Sequence, residues 1–139
     1  MCFVMVGLVA SSCGAGKNIA SSNAAAYAAG SSCAQALTGL NSSRTANGTI
    51  SLTNTNDLAN MLTVCTAYSQ LRNNKEDASY KTSFTNGLIA GSNIINASNA
   101  TALMNGLLSA TGLEGVNAQN ISAKIQTVST ILTLLNALK

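Results

Sequence analysis

No proline occurs anywhere in the 139 residues. Proline breaks helix interiors by removing a backbone donor and clashing with the preceding turn. A chain without it is free to run long helices, and the apolar spacing favours them. The pattern is clearest near the C-terminus, where Ile121, Ile125, Val128, Leu132 and Leu135 alternate steps of four and three, the spacing of a coiled-coil seam. Ile131, Leu134 and Leu138 widen that seam until the last two turns are apolar on most sides. This predicts a helix over 118–138 in the centre of a bundle. A self-associating or membrane-contacting tail is the alternative, although the polar face lacks the Lys and Arg of an interfacial helix.

The same periodicity places four earlier helices. Residues 23–40 read as an Ala-rich helix capped by Ser21 or Ser22, with Ala26, Cys33, Leu37 and Leu40 on one side. Gly30 in its middle permits close contact with another helix. Asn56 caps a second helix to about Leu71, whose stripe is Leu58, Met61, Leu62, Cys65 and Tyr68. A third runs from about Lys75 to Ile95 through Tyr80, Phe84 and Leu88, with Gly87 and Gly91 four apart as a close-packing surface. Asn99 caps a fourth over 100–111, closed by the glycines of Gly112-Leu-Glu-Gly115. Between the first two lies the longest polar interval, Asn41–Asn56, read as a loop across the bundle end. Ile50 and Leu52 would peg it and Asn47-Gly48 would turn it. Loops that long are uncommon unless functional or mobile, which makes this one the natural place for a specific contact. The expected fold is therefore all-α, a single-domain bundle of four or five antiparallel helices over residues 21–139.

Chemistry is scarce in the side chains. There is no His and no Trp, and charged residues make up only 8% of the chain, against an ordinary ~25%. Without imidazole, none of the many serines has its usual activating base, and neither cysteine nucleophile nor metal site has its commonest partner. Each carboxylate has a structural explanation. Asp57, Glu76 and Asp77 fall in the first turns of helices, where negative charge complements the helix dipole, and Glu114 lies in a Gly-flanked loop. No catalytic, cofactor or metal residues are expected. Gly14-Ala-Gly16-Lys17 stops short of a phosphate-binding loop and reads as tether. The net charge of +3 is spread over Lys17, Arg44, Arg72, Lys75, Lys81, Lys124 and Lys139. Arg72, Lys75 and Lys81 come nearest to a basic patch, but Glu76 and Asp77 sit among them, so no nucleic-acid partner is expected.

The first thirteen residues differ from all that follows. Met1–Ala10 is an apolar run too short to span a bilayer as a helix, which needs about 20 residues, and Ser11-Ser12 then precede Cys13. A short apolar run ending in small side chains matches a secretory signal. The stretch Val9-Ala10-Ser11-Ser12-Cys13 resembles the lipobox of bacterial lipoproteins, although Ala10 stands where Leu is usual. The resemblance implies that Cys13 carries a diacylglycerol and becomes the N-terminus after cleavage. Residues 1–12 would then be signal peptide and 13–20 a lipid-anchored tether. No Lys or Arg precedes the apolar run, which points to a start upstream of Met1. An ordinary cleaved signal, or a buried N-terminal segment with Cys13 as a core thiol, are the alternatives.

Export would leave Cys33 and Cys65. Two residual cysteines in an exported chain invite a disulfide, which would close a loop of about 30 residues and contribute roughly 3 kcal/mol by chain entropy. Two small buried apolar residues are the competing reading. With its Asn, Ser and Thr content, the chain is similar to small helical lipoproteins of Bacteroides-type bacteria. That resemblance implies a non-enzymatic structural or accessory component of the cell envelope, outer-membrane or periplasm-facing. It would be held to the membrane by its lipid and would act on a protein partner. A small helical binding module carrying an apolar ligand such as a lipid is the second function consistent with Ala- and Leu-rich helices.

Overall fold

Asparagine and aspartate decide where the helices begin. In a computed structural model of the chain, which describes residues 23–138 other than 111, 114 and 118, α1 (Ala24–Asn47), α2 (Thr55–Asn73), α3 (Ala78–Gly91) and α4 (Ala97–Ser109) are each preceded by an Asx cap. The side chains of Asn23, Asn54, Asp77 and Asn96 accept from backbone N–H groups of the first turn that would otherwise lack partners. At α4 the arrangement is reciprocal, because Asn99 Oδ1 also accepts from Asn96 N at 2.9 Å. The chain ends in a short 3₁₀ turn, Ile121–Lys124, which runs into α5 (Ile125–Leu138). Among the described residues there is no strand, and the fold is an all-α bundle. Cys13 and the stretches expected to be signal segment (1–12) and tether (13–20) lie outside the described residues.

The central element is α1, not the C-terminal helix expected there. Its most extensive contacts are with α3, and the next most extensive are with α2. The α1–α3 pair runs parallel and meets backbone to backbone. A methyl group placed on Gly30 would collide with the Phe84 carbonyl, and methyls on Gly87 and Gly91 would collide with the Tyr27 and Ser31 carbonyls. Three glycines thus remove the side-chain layer that normally separates two helices. At the two ends of the pair, Ser83 Oγ accepts from Asn23 N at 3.1 Å and Thr38 Oγ1 lies 2.7 Å from Ser92 Oγ.

On its other flank α1 meets α2 in the antiparallel sense, with Asn60 beneath Gly39 and Ser43 Oγ donating to Asp57 at 2.7 Å. Leu37, Leu40, Met61, Tyr68, Phe84 and Leu88 are fully enclosed between the layers. The C-terminal helix closes the bundle from outside. It buries the expected seam through Ile121, Val128, Leu132 and Leu135, with Ile131 beside them. Only 28% of Ile121–Leu138 is inside, however, although that stretch is long and apolar enough by composition to cross a membrane. A residue set rich in Leu and Ile marked it as central, but the Ala- and Gly-rich α1 takes that place because small residues let two partners approach it at once.

The polar interval 41–56 is shorter as a loop than its composition predicts. The first helix continues through it to Asn47 and ends on Gly48, whose φ of 80° is the left-handed conformation that glycine accepts at a helix C-terminus. Tertiary contacts overcome the weak helix propensity of Asn and Ser. Asn41 is buried and exchanges amide hydrogen bonds with Asn136 of α5, at 2.8 and 3.4 Å. Arg44 Nη1 donates to the Ser129 carbonyl and Nη2 to Thr133 Oγ1. The remaining loop, 48–54, is of ordinary length, and Ile50 is buried as its peg with Leu52 packed beside the core.

Candidate functional site

The two cysteines among the described residues, Cys33 and Cys65, are both buried, and neither is bridged. The disulfide weighed between them is not formed, and the competing reading, two small buried apolar side chains, is the one the fold shows. Burial pushes the Cys33 thiol up to about 12, with neighbouring Cys65 adding to the effect. Burial likewise raises Cys65 to about 11, against a lowering influence of Lys124. Such thiols stay protonated at neutral pH and pack as small apolar groups, the opposite of an activated nucleophile.

The charged residues singled out in the sequence are mostly committed to architecture. Asp57 is 2% exposed; its two oxygens accept from Ser43 Oγ and from the backbone N–H of Ser51, 2.7 and 3.2 Å away. One carboxylate therefore ties α1, the 48–54 loop and α2 together, a role its position in a first turn did not reveal. Arg72 sits on the C-terminal end of α4, donating to the carbonyls of Leu108 and Ala110, and to the hydroxyl of Tyr68, which itself donates to Ala110 O at 2.6 Å. A guanidinium at a helix C-terminus satisfies carbonyls that have no helical partner. Arg72 is thereby withdrawn from any patch with Lys75 and Lys81. Asp77 caps α3 and Glu76 is exposed. Glu114 lies outside the described residues. Among the described residues, no group of three or more His, Cys, Asp or Glu comes together.

Two open surface grooves stand out among the described residues. The larger, of about 650 Å³, runs between the N-terminal half of α1 and the C-terminal half of α2 and is closed at one end by Tyr80. Its walls are Ala25, Ala28, Ala29 and Ser32 on one side and Leu62, Thr63, Thr66 and Ala67 on the other, with Gln70 and Asn74 near Tyr80. The smaller lies between α3 and α4, around Thr82, Thr85, Ile89, Thr101 and Met104. Both are troughs on the surface and not enclosed chambers. Sequence reasoning did not find the larger one, because apart from Leu62 and Tyr80 its residues are small or polar and fall outside the apolar stripes. The visible signal was the excess of Ala on the face of α1 that adjoins the Leu37 and Leu40 stripe.

The geometry defines a small all-α bundle whose polar side chains serve its own backbone. No family model matches the chain, and no similar protein was found among curated proteins or solved structures.

Proposed function

We propose that this is a non-enzymatic exported lipoprotein of a bacterial cell envelope, anchored through Cys13 and acting as a structural or accessory component. The observation that carries the reading is the sequence Val9-Ala10-Ser11-Ser12-Cys13 standing ten residues ahead of Asn23, the first described residue of the bundle. Acyl chains contribute about 0.8 kcal/mol per buried methylene, so a multiply acylated cysteine holds a protein firmly to a bilayer. Two further features support the reading. Asp57, Arg44 and Arg72 are occupied in holding helices together and both thiols are buried, and low charge suits a domain that stands close to a lipid surface by a short leash.

The test is detergent-phase partitioning and intact-mass measurement of the chain expressed in a bacterial host behind a basic n-region, since residues 1–12 carry none. The wild-type chain should enter the detergent phase with a mass lacking residues 1–12 and carrying lipid. The Cys13→Ser variant should remain aqueous and unlipidated. A wild-type chain that stays aqueous and retains residues 1–12 without modification would overturn the proposal.

A further inference from the structure

The larger groove carries a second reading, independent of the anchor: the geometry points to a binding site for a neutral single-chain amphiphile, an alkyl chain bearing an uncharged hydroxyl or ester head. The argument begins at Tyr80. Its side chain is 95% enclosed, with 5% exposure, and its ring stacks on Phe84 at a centroid distance of 6.5 Å. Its hydroxyl meets no hydrogen-bond partner among the described residues. The other deeply buried tyrosine, Tyr68, spends its hydroxyl on the Ala110 carbonyl. Buried polar groups almost always have a partner, protein or water, and the Tyr80 hydroxyl can meet one only from the groove side. Tyr80 lines the groove end, where a partner from outside can reach it. Burial also holds its phenol above the ordinary range, so it stays a donor.

The rest of the groove specifies what else that partner contains. The volume of about 650 Å³ is within the usual 300–1,000 Å³ of small-molecule sites. Ala25, Ala28, Ala29 and Ala67 make it narrow and smooth. Thr63 and Thr66 have already committed their hydroxyl donors to the carbonyls of Ala59 and Leu62, both at 2.9 Å. From Ala25 to Ser32 the α1 wall is about 10 Å long at 1.5 Å per residue, which accommodates much of a medium alkyl chain. No Lys, Arg, Asp or Glu lines the groove, so a carboxylate or phosphate head would find no counter-charge there. The Gln70 amide and the Asn74 amide oxygen beside Tyr80 offer neutral hydrogen bonding instead, Asn74 Nδ2 already donating to the Gln70 carbonyl at 2.8 Å. A slender apolar chain along the alanines, with an uncharged oxygen accepting from Tyr80, satisfies every one of these surfaces.

The experiment is calorimetric titration with monolauroylglycerol below its aggregation concentration, with laurate as comparator. It uses the full-length chain and the full-length Cys13→Ser variant, so failure of the anchor proposal leaves this result readable. Saturable one-to-one binding of monolauroylglycerol is expected, with laurate at least tenfold weaker. Ala28→Leu and Thr66→Leu, both at exposed positions, should fill the groove and abolish binding without changing the melting temperature. Tyr80→Phe should weaken binding five- to tenfold. The inference is overturned by absent or unsaturable binding, by laurate binding equally well, or by binding that survives groove filling or is indifferent to Tyr80→Phe. It is equally overturned by a concentration-dependent dimer that Ala28→Leu disperses, which would assign the groove to a second copy of the chain.

Discussion

A methyl group is the unit in which this core is most sensitive. At Gly87 an added Cβ would run into the Tyr27 carbonyl, and at Gly30 into that of Phe84. Backbone cannot rotate aside as a side chain can, so Gly87→Ala should destabilise by about 2–3 kcal/mol, the upper part of the overpacking range. Urea unfolding checks this, and Gly30→Ala should cost a similar amount. The thiols give a pH prediction of definite sign. Cys33 and Cys65 have ordinary values of 9.0 when unfolded and are raised to about 12 and about 11 in the fold. The unfolded chain therefore releases these protons first. Their contribution to stability is complete below pH 9 and is lost as pH climbs from 9 through 11–12, by up to about 1.4 kcal/mol per pH unit for each thiol. Tyr80 adds in the same direction above pH 10. Unfolding measured at pH 7, 9 and 10.5 should show the decline, and Cys33→Ala should flatten it. Alkylation by iodoacetamide at pH 7.5 should be negligible until urea is added.

At the scale of elements, the joint between α1 and α5 is held by polar groups where a core would ordinarily use Leu. The Asn41–Asn136 amide pair and the Arg44 contacts to Ser129 and Thr133 dock the last helix on the C-terminal third of the first. Removing one amide strands the other, so Asn136→Ala should cost about 1–3 kcal/mol. The Asn41→Ala/Asn136→Ala double variant should cost less than the sum of the two single variants, a coupling that a double-mutant cycle measures. Asp57→Ala should be as severe, because it releases both Ser43 and Ser51. These joints explain what the sequence could and could not tell. Five helices were legible from periodicity, and Ile121, Val128, Leu132 and Leu135 are buried as their spacing predicts. The starts of α2, α3 and α4 were displaced by two or three residues, since Asn54 and Asn56, or Asn96 and Asn99, are equivalent caps until one of them accepts a bond, while the last helix, expected from residue 118, is α-helical only from Ile125, after the 3₁₀ turn Ile121–Lys124. The extension of α1 through 41–47 was hidden because its support comes from residues fourteen and more positions away.

Over the whole molecule, the distribution of small residues organises the architecture more than the distribution of large ones. Hydropathy ranks α5 as the innermost helix, yet the bundle is built around α1, whose Ala and Gly surfaces accept α3 on one flank and α2 on the other. The same economy of side chain opens the α1–α2 groove, so the candidate site arises from what makes the centre possible, and neither stands out in an apolar-stripe reading. Charge plays a correspondingly small part: eleven charged side chains serve 139 residues. Salt screens exposed charges over about 10 Å at 0.1 M. Raising it from 0.05 to 0.5 M should therefore change the unfolding free energy by less than about 1 kcal/mol, as surface ion pairs are worth no more than that. A larger drop, seen by urea titration at the two salt concentrations, would mean that Arg44 and Arg72 hold their helices by charge more than by hydrogen-bond geometry.

The glycine contact between α1 and α3 has a mechanical side. Any pull on the chain ahead of Asn23 enters the bundle at the first turn of α1, where Asn23 N is already bonded to Ser83 of α3. Because the two helices are parallel and interlock at Gly30, Gly87 and Gly91, that load is shared by both along their length, in shear and not by peeling. The first turn of α1 is therefore held by two helices at once. A chain tugged from its N-terminus should yield last where it is held, and first at α5, the helix most loosely enclosed.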